Sequence, residues 1–156
     1  MLEIEIPGFG LVLLHHLVSD FTGTLSVDGE LLPGVKEKLN ELAGILDVHI
    51  LTADTFGKAR NELQGVQCDI HILTGENHDI QKEKFVQKLG SGSVIALGNG
   101  NNDRRMLKAA KVGIAVLLAE GCSRDAIVSA DIVVSSPVDA LNLIFNYKRM
   151  KATLRF

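Results

Sequence analysis

The chain has no tryptophan, one tyrosine and six phenylalanines, so aromatic residues make up only 4% of its 156 positions. Its interior must therefore be packed by Val, Ile and Leu, the usual filling of parallel sheets buried on both faces. Cysteine is as scarce. Cys68 and Cys122 are isolated, with no C-x-x-C pair, and read as small apolar side chains in a reducing cytoplasm. Neither sign of charge dominates: 16 Lys and Arg against 19 Asp and Glu leave a formal charge of -3. That balance offers no basic footprint for nucleic acid and no polybasic arm for a membrane surface. No apolar run approaches the ~20 residues that cross a bilayer, and the start lacks a basic-then-apolar leader. There are only three prolines and no linker or low-complexity tract, so residues 1–156 are expected to form one domain.

What is present is a steady alternation of apolar runs and amphipathic stretches. Leu2 to Ile6 and Leu11 to Val18 flank Pro7-Gly8-Phe9-Gly10 and read as a hairpin leading into the first central strand. Leu25 to Leu31, with Asp28-Gly29 at its middle, reads as a second, small hairpin. A helix starts at Pro33 with Val35, Leu39, Leu42 and Ile45 inward, and Asp47 to Leu51 is a strand. Asp54 or Thr55 caps a helix to about Gln64, Cys68 to Leu73 is a strand, and Asp79 caps a helix closed by Gly90. Strands Val94 to Leu97, Val112 to Val116 and Ile132 to Val134 follow, alternating with helices near 103–110, 123–129 and from Pro137 onward. Such alternation predicts an α/β fold, a mostly parallel sheet with helices on both faces.

Reactive groups collect where strands end. Asp20-Phe21-Thr22-Gly23-Thr24 follows the first central strand, Thr52-Ala53-Asp54 the second, and Gly98-Asn99-Gly100-Asn101-Asn102-Asp103 the fourth. Lys82 lies on the helix after the third. In a doubly wound sheet these ends share one crevice. A carboxylate nucleophile, a hydroxyl, a lysine and a cluster of oxygen ligands for a hard cation are what phosphoryl transfer requires. Bland readings stand beside the chemical ones. Thr52 is also an ordinary strand-end residue, Asp54 an ordinary cap, and Asn101-Asn102 a turn. Lys82 competes with Lys84 and Lys88 on one charged helix. The five histidines have no metal-ligand spacing and read as structural or surface positions.

These segments resemble the motifs of the haloacid dehalogenase (HAD) superfamily, and within it the phosphorylation domain of P-type ATPases. Asp20 to Thr24 resembles D-K-T-G-T, Thr52-Ala53-Asp54 resembles T-G-D, and Lys82, Val86 and Leu89 resemble K-x-x-x-V-x-x-L. Gly98 to Asp103 resembles G-D-G-x-N-D, and Ala130-Asp131-Ile132-Val133 matches A-D-I-V. The resemblance implies a three-layer Rossmann-like fold with a small hairpin flap and no large cap domain. It implies Asp20 as nucleophile and Mg²⁺ ligand, with the Thr22 carbonyl, Asn99 and Asp103 as further ligands. Thr52 and Lys82 would act on the phosphoryl group, Thr22, Gly23 and Ala53 would line its site, and Asn102 and Asp54 would support it.

Two positions depart from the pattern. Thr22 stands where many phosphatases of the superfamily place a second Asp as general acid and base, a role worth ~10²–10⁴-fold. Asn99 stands where the pattern has Asp, which removes one charge from the cation site. The segment from Leu25 to Leu51 leaves no room for an inserted nucleotide-binding domain, so ion pumping is not expected. The expectation is a cytoplasmic Mg²⁺-dependent phosphohydrolase acting on a small phosphorylated molecule through an aspartyl phosphate. Self-association into a homo-oligomer would compensate for the missing cap. The alternative is a catalytically weak binding or regulatory module on the same scaffold.

Overall fold

A computed structural model describes residues 1–156. Its centre is a six-stranded sheet, parallel throughout, in the order β10-β9-β8-β3-β6-β7. The strands are β3 (His16–Ser19), β6 (Asp47–Thr52), β7 (Asp69–Ile72), β8 (Val94–Gly98), β9 (Val112–Val116) and β10 (Ile132–Val134). Chain order runs outward one way through β3, β6 and β7 and the other way through β8, β9 and β10. The reversal between β3 and β8 opens a crevice at their C-terminal ends.

Two aliphatic layers cover the sheet. Leu17, Ile50, Ile95, Leu97 and Ile114 point to one face, under α1 (Val35–Ala43), α6 (Pro137–Phe145) and α7 (Tyr147–Leu154). Val18, Leu51, Val94 and Ala96 point to the other, against α3 (His78–Leu89), α4 (Arg104–Ala109) and α5 (Arg124–Ser129). The helix starts are explicit: the Ser123 and Ser136 hydroxyls accept from the Ala126 and Asp139 amides at 3.1 and 2.9 Å.

Several expectations shift in detail. The apolar run from Leu11 to Val18 is two strands. β2 (Gly10–Leu14) pairs antiparallel with β1 (Leu2–Ile6) in a separate hairpin, and the chain enters the main sheet only at His16. His15 is the joint: its amide donates to the Ser93 carbonyl and its carbonyl accepts from the Asp47 amide, both at 2.9 Å. Helix α1 stops at Gly44, which leaves Ile45 40% exposed and turns Leu46 inward. The helix expected after Asp54 shrinks to α2 (Ala59–Glu62), and α3 begins at His78, one residue before the expected cap Asp79. Helix α7 was not anticipated. Only Met150 and Leu154 of it are buried, an i, i+4 pair within a basic stretch, too sparse a stripe to read from sequence.

The flap is β4 (Ser26–Val27) and β5 (Glu30–Leu31), over the strand ends. It is held from two sides, by Glu120 and by the two ends of α2. The Asp28 amide donates to Glu120 (3.1 Å), the Leu31 amide donates to Glu62 (2.9 Å), and Lys58 lies 3.5 Å from Glu30.

Candidate active site

Asp20 leaves β3 at the point where the strand order reverses, its amide donating to the Leu97 carbonyl of β8 at 2.9 Å. Gly23 follows with φ 79°. A Cβ there would sit 2.9 Å from Cγ of Asn99, so the turn after Asp20 and the loop after β8 approach as closely as they do only because residue 23 is glycine.

Lys82 is the pivot of the site. It is fully buried on α3 and its Nζ donates to Asp20 Oδ1 at 2.8 Å and to Asp103 Oδ1 at 2.6 Å. Lys84 and Lys88 are exposed on the same helix. Asp103 is also fully buried, and its other oxygen accepts from the Asn99 and Gly100 amides, both at 2.9 Å. Gly98 has no room for a side chain: a Cβ would lie 2.5 Å from Asp103 Cβ. Asp103 therefore ties α3 to the Gly98–Asp103 loop with both of its oxygens.

The remaining oxygen of Asp20 faces Thr24 and Asn99. The buried Thr24 hydroxyl lies 3.2 Å from both Asp20 Oδ2 and Asn99 Oδ1. Asn99 Nδ2 donates to the Gly121 carbonyl (3.1 Å), which fixes the amide so that its oxygen, not its nitrogen, faces the Thr24 hydroxyl. Oxygens of Asp20 and Asn99 thus meet at Thr24, and the Asp20 oxygen there is the one Lys82 does not contact.

Two carboxylates share one ammonium here, so the buried cluster carries an uncompensated negative charge. Burial, and then the Asp103 charge, push the Asp20 carboxyl up from 3.8 to about 6, although Lys82 and Thr24 pull the other way. Lys82 moves above its ordinary range, because the attraction of Asp103 and Asp20 outweighs its own desolvation. Lys82 Nζ lies 2.6 Å from Asp103 and 2.8 Å from Asp20, so one ammonium serves two buried carboxylates. One more positive charge next to Asp20 would balance the site. The Asp20 and Asn99 side-chain oxygens, to which the resemblance adds the Thr22 carbonyl, suit a hard divalent cation of the Mg²⁺ type.

The other expected residues fall at different distances from this centre. Thr52 ends β6 beside β3, buried, with its hydroxyl accepting from the Asp54 amide at 2.9 Å. Ala53 is exposed. Asp54 has φ 53° and spends one carboxylate oxygen on the Lys58 and Ala59 amides, both at 3.0 Å, so it holds the loop leading into α2. The Gly23 amide donates to the Ser26 carbonyl (2.9 Å) and is engaged within its own turn. Asn102 is exposed beside an open cleft of about 490 Å³, lined by Gly75 to Asp79, Asn101, Asn102 and Arg104 without one hydrophobic residue. Arg104 and Arg105 both pair with Asp79 (3.0 and 3.1 Å), bracing α4 against α3.

Two features escaped sequence reasoning. Thr24 sits inside the first motif but received no role, and its contact with Asn99 spans 75 residues. His49, His71 and Asp69 come together on β6 and β7, where sequence spacing showed only scattered histidines. Burial, helped by the neighbouring His16, holds the His49 imidazole below its ordinary value.

No family model matches the chain. A solved structure of 3-deoxy-D-manno-octulosonate 8-phosphate phosphatase from Moraxella catarrhalis, with magnesium, phosphate and KDO, superimposes with a TM-score of 0.69. It is 17% identical and covers 91% of this chain and 94% of its own, so it shares the fold. The probable copper-transporting ATPase HMA5 of Arabidopsis thaliana is 32% identical over 124 residues, which are 78% of this chain and 12% of the ATPase. Fold and sequence likeness point the same way: the chain shares the fold of haloacid dehalogenase superfamily hydrolases and resembles a P-type ATPase in sequence. The uncharacterized protein MJ0073 of Methanocaldococcus jannaschii is 52% identical over 80 residues, 49% of this chain and 86% of that protein. None of its helices is long and apolar enough to cross a membrane.

Proposed function

We propose that this protein is a phosphohydrolase in which Asp20 is the nucleophile and the substrate a small, polar phosphate monoester. The observation that carries this reading is the buried bridge from Lys82 to Asp20 and Asp103 at the strand-order reversal. Lys82 orients Asp20 and offsets part of its charge, and Asp103 keeps Lys82 in place. Thr52, beside Asp20 at the end of β6, donates its hydroxyl hydrogen to the phosphoryl oxygens. Asp20 attacks phosphorus in line; a carboxylate O–P bond forms as the bond to the leaving oxygen breaks, and the departing alkoxide takes a proton from water. A second water then cleaves the acyl phosphate, releasing inorganic phosphate and restoring the carboxylate.

Asp20, Asn99 and the Thr22 carbonyl are the residues that would hold Mg²⁺, and Asp103, with both oxygens engaged, positions the loop. When bound, the cation would neutralise charge on the phosphoryl group. Because Thr22 cannot transfer a proton as an Asp would, turnover is expected to be slow, by up to ~10²–10⁴-fold. The polar cleft of Gly75 to Asp79, Asn101, Asn102 and Arg104 suits a hydroxyl-rich leaving group. The KDO bound in the Moraxella catarrhalis enzyme is of that kind.

Phosphate release from p-nitrophenyl phosphate with magnesium present tests the reading. Asp20→Asn should lower it by more than ~10³-fold; undiminished turnover would refute the assignment. A second reading, a binding module whose chemistry has decayed, draws on Asn99 and Thr22. Titration with magnesium and beryllofluoride separates the two, since tight joint binding requires a cation site beside Asp20 that still works with Asn99 and Thr22 in place.

A further inference from the structure

The sheet face beneath α3 is not aliphatic throughout. On β6 and β7 it carries His49, Asp69 and His71, brought together by the register that pairs His49 with Asp69 and Leu51 with His71. Parallel sheets are ordinarily lined here by Val, Ile and Leu, and a buried imidazole nitrogen without a partner is costly. Nδ1 of His49 and Nε2 of His71 are two such nitrogens, both buried and both lacking a hydrogen bond. His49 itself is only 8% exposed.

We propose that His49, Asp69 and His71 bind a divalent transition metal of the zinc class, at a site separate from Asp20. Their ligand atoms all lie within 4.8 Å of one another. His49 Nδ1 is 3.6 Å from Asp69 Oδ2, long for a hydrogen bond. It is close to the ~3.4 Å that separates two ligands of a tetrahedral ion with bonds of about 2.0–2.2 Å. The other nitrogen of His49 lies 3.4 Å from His16 Nδ1, which in turn is 3.6 Å from Asp47. With Nδ1 of His49 on the metal, its Nε2–H would donate to the His16 Nδ1 lone pair, which fixes the tautomer of the ligating imidazole. Phe85 of α3 closes the inner side, its ring 4.6 Å from His71 and 5.4 Å from His49 between centroids. Asp69, with a side chain 74% exposed on the edge strand β7, leaves the outer side open for an ion to enter and for water as fourth ligand. Two imidazoles and one carboxylate select Zn²⁺, Co²⁺ or Ni²⁺ over Mg²⁺.

The test uses the full chain without a histidine tag, stripped of metal by a chelator, and titrated with Co²⁺ while visible absorption is recorded. One Co²⁺ per chain is expected, with a visible band lost on adding Zn²⁺ and untouched by Mg²⁺. Zn²⁺ should also raise the melting temperature. Asp69→Asn, at an exposed position that tolerates change, and His71→Gln should each weaken Co²⁺ binding by at least ~10-fold, whereas Asp20→Asn should leave it unchanged. Absence of the band overturns the proposal and leaves the histidines as packing partners of Phe85. So does an affinity indifferent to Asp69→Asn, or one abolished by Asp20→Asn. Should His71→Gln fail to fold, Asp69→Asn decides.

Discussion

Lys82 has no exposed atom, and a lysine so placed is tolerated only where anions surround it. Its two contacts make α3 answerable to both β3 and the loop after β8. Lys82→Met would leave Asp20 and Asp103 facing each other in a dry interior. Breaking one side of a buried ion pair costs about 3–5 kcal/mol, so urea denaturation at pH 7 should show a loss of that size. The loss should shrink at pH 5, where one of the two carboxylates can take up a proton. An unchanged midpoint at pH 7 would mean that water, not Lys82, balances these charges. Of the three lysines on this helix, sequence spacing to Val86 and Leu89 favoured Lys82 but could not decide. Only the packing of α3 on the sheet distinguishes the inward lysine from Lys84 and Lys88.

The loop Gly98 to Asp103 shows how far local pattern reaches. Its glycines and its position after an apolar strand were legible, and so was the convergence on Asp20, because strand ends in this architecture meet by geometry. The division of labour within it was not. That Asp103 spends both oxygens on Lys82 and two amides, and that Asn99 is anchored by Gly121, depends on contacts across the fold. The histidine cluster was hidden for the same reason: strand register, not sequence spacing, assembles it. Asn99→Asp tests the loop directly. An Asp cannot donate to the Gly121 carbonyl, and it adds negative charge to a cluster already in surplus. The metal-free protein should melt several degrees lower, while calorimetric titration should show Mg²⁺ bound roughly tenfold more tightly. Weaker Mg²⁺ binding would remove Asn99 from the ligand set.

Taken as a whole, the molecule would couple proton binding and the proposed cation binding at one carboxylate. The unfolded chain releases the Asp20 proton near pH 3.8 and the native protein near 6, so the native state holds more protons between these values. The stability Asp20 contributes is complete below about pH 3.8 and is lost as pH rises through about 6, a change on the order of 3 kcal/mol. Mg²⁺ at the proposed site would compete with that proton. Thermal melts with and without magnesium should therefore coincide near pH 4 and separate as pH passes 6, the bound form melting higher. A gap that does not vary with pH would place the cation elsewhere.

Glu120 holds the flap from the loop after β9, and Glu62 and Lys58 hold it from the two ends of α2, so the hairpin beside the Asp20 turn is braced on two sides. In the proposed reaction such a braced flap would select by what fits past it and not by closing over its guest, and the water for the second step would enter by the path the alcohol vacates.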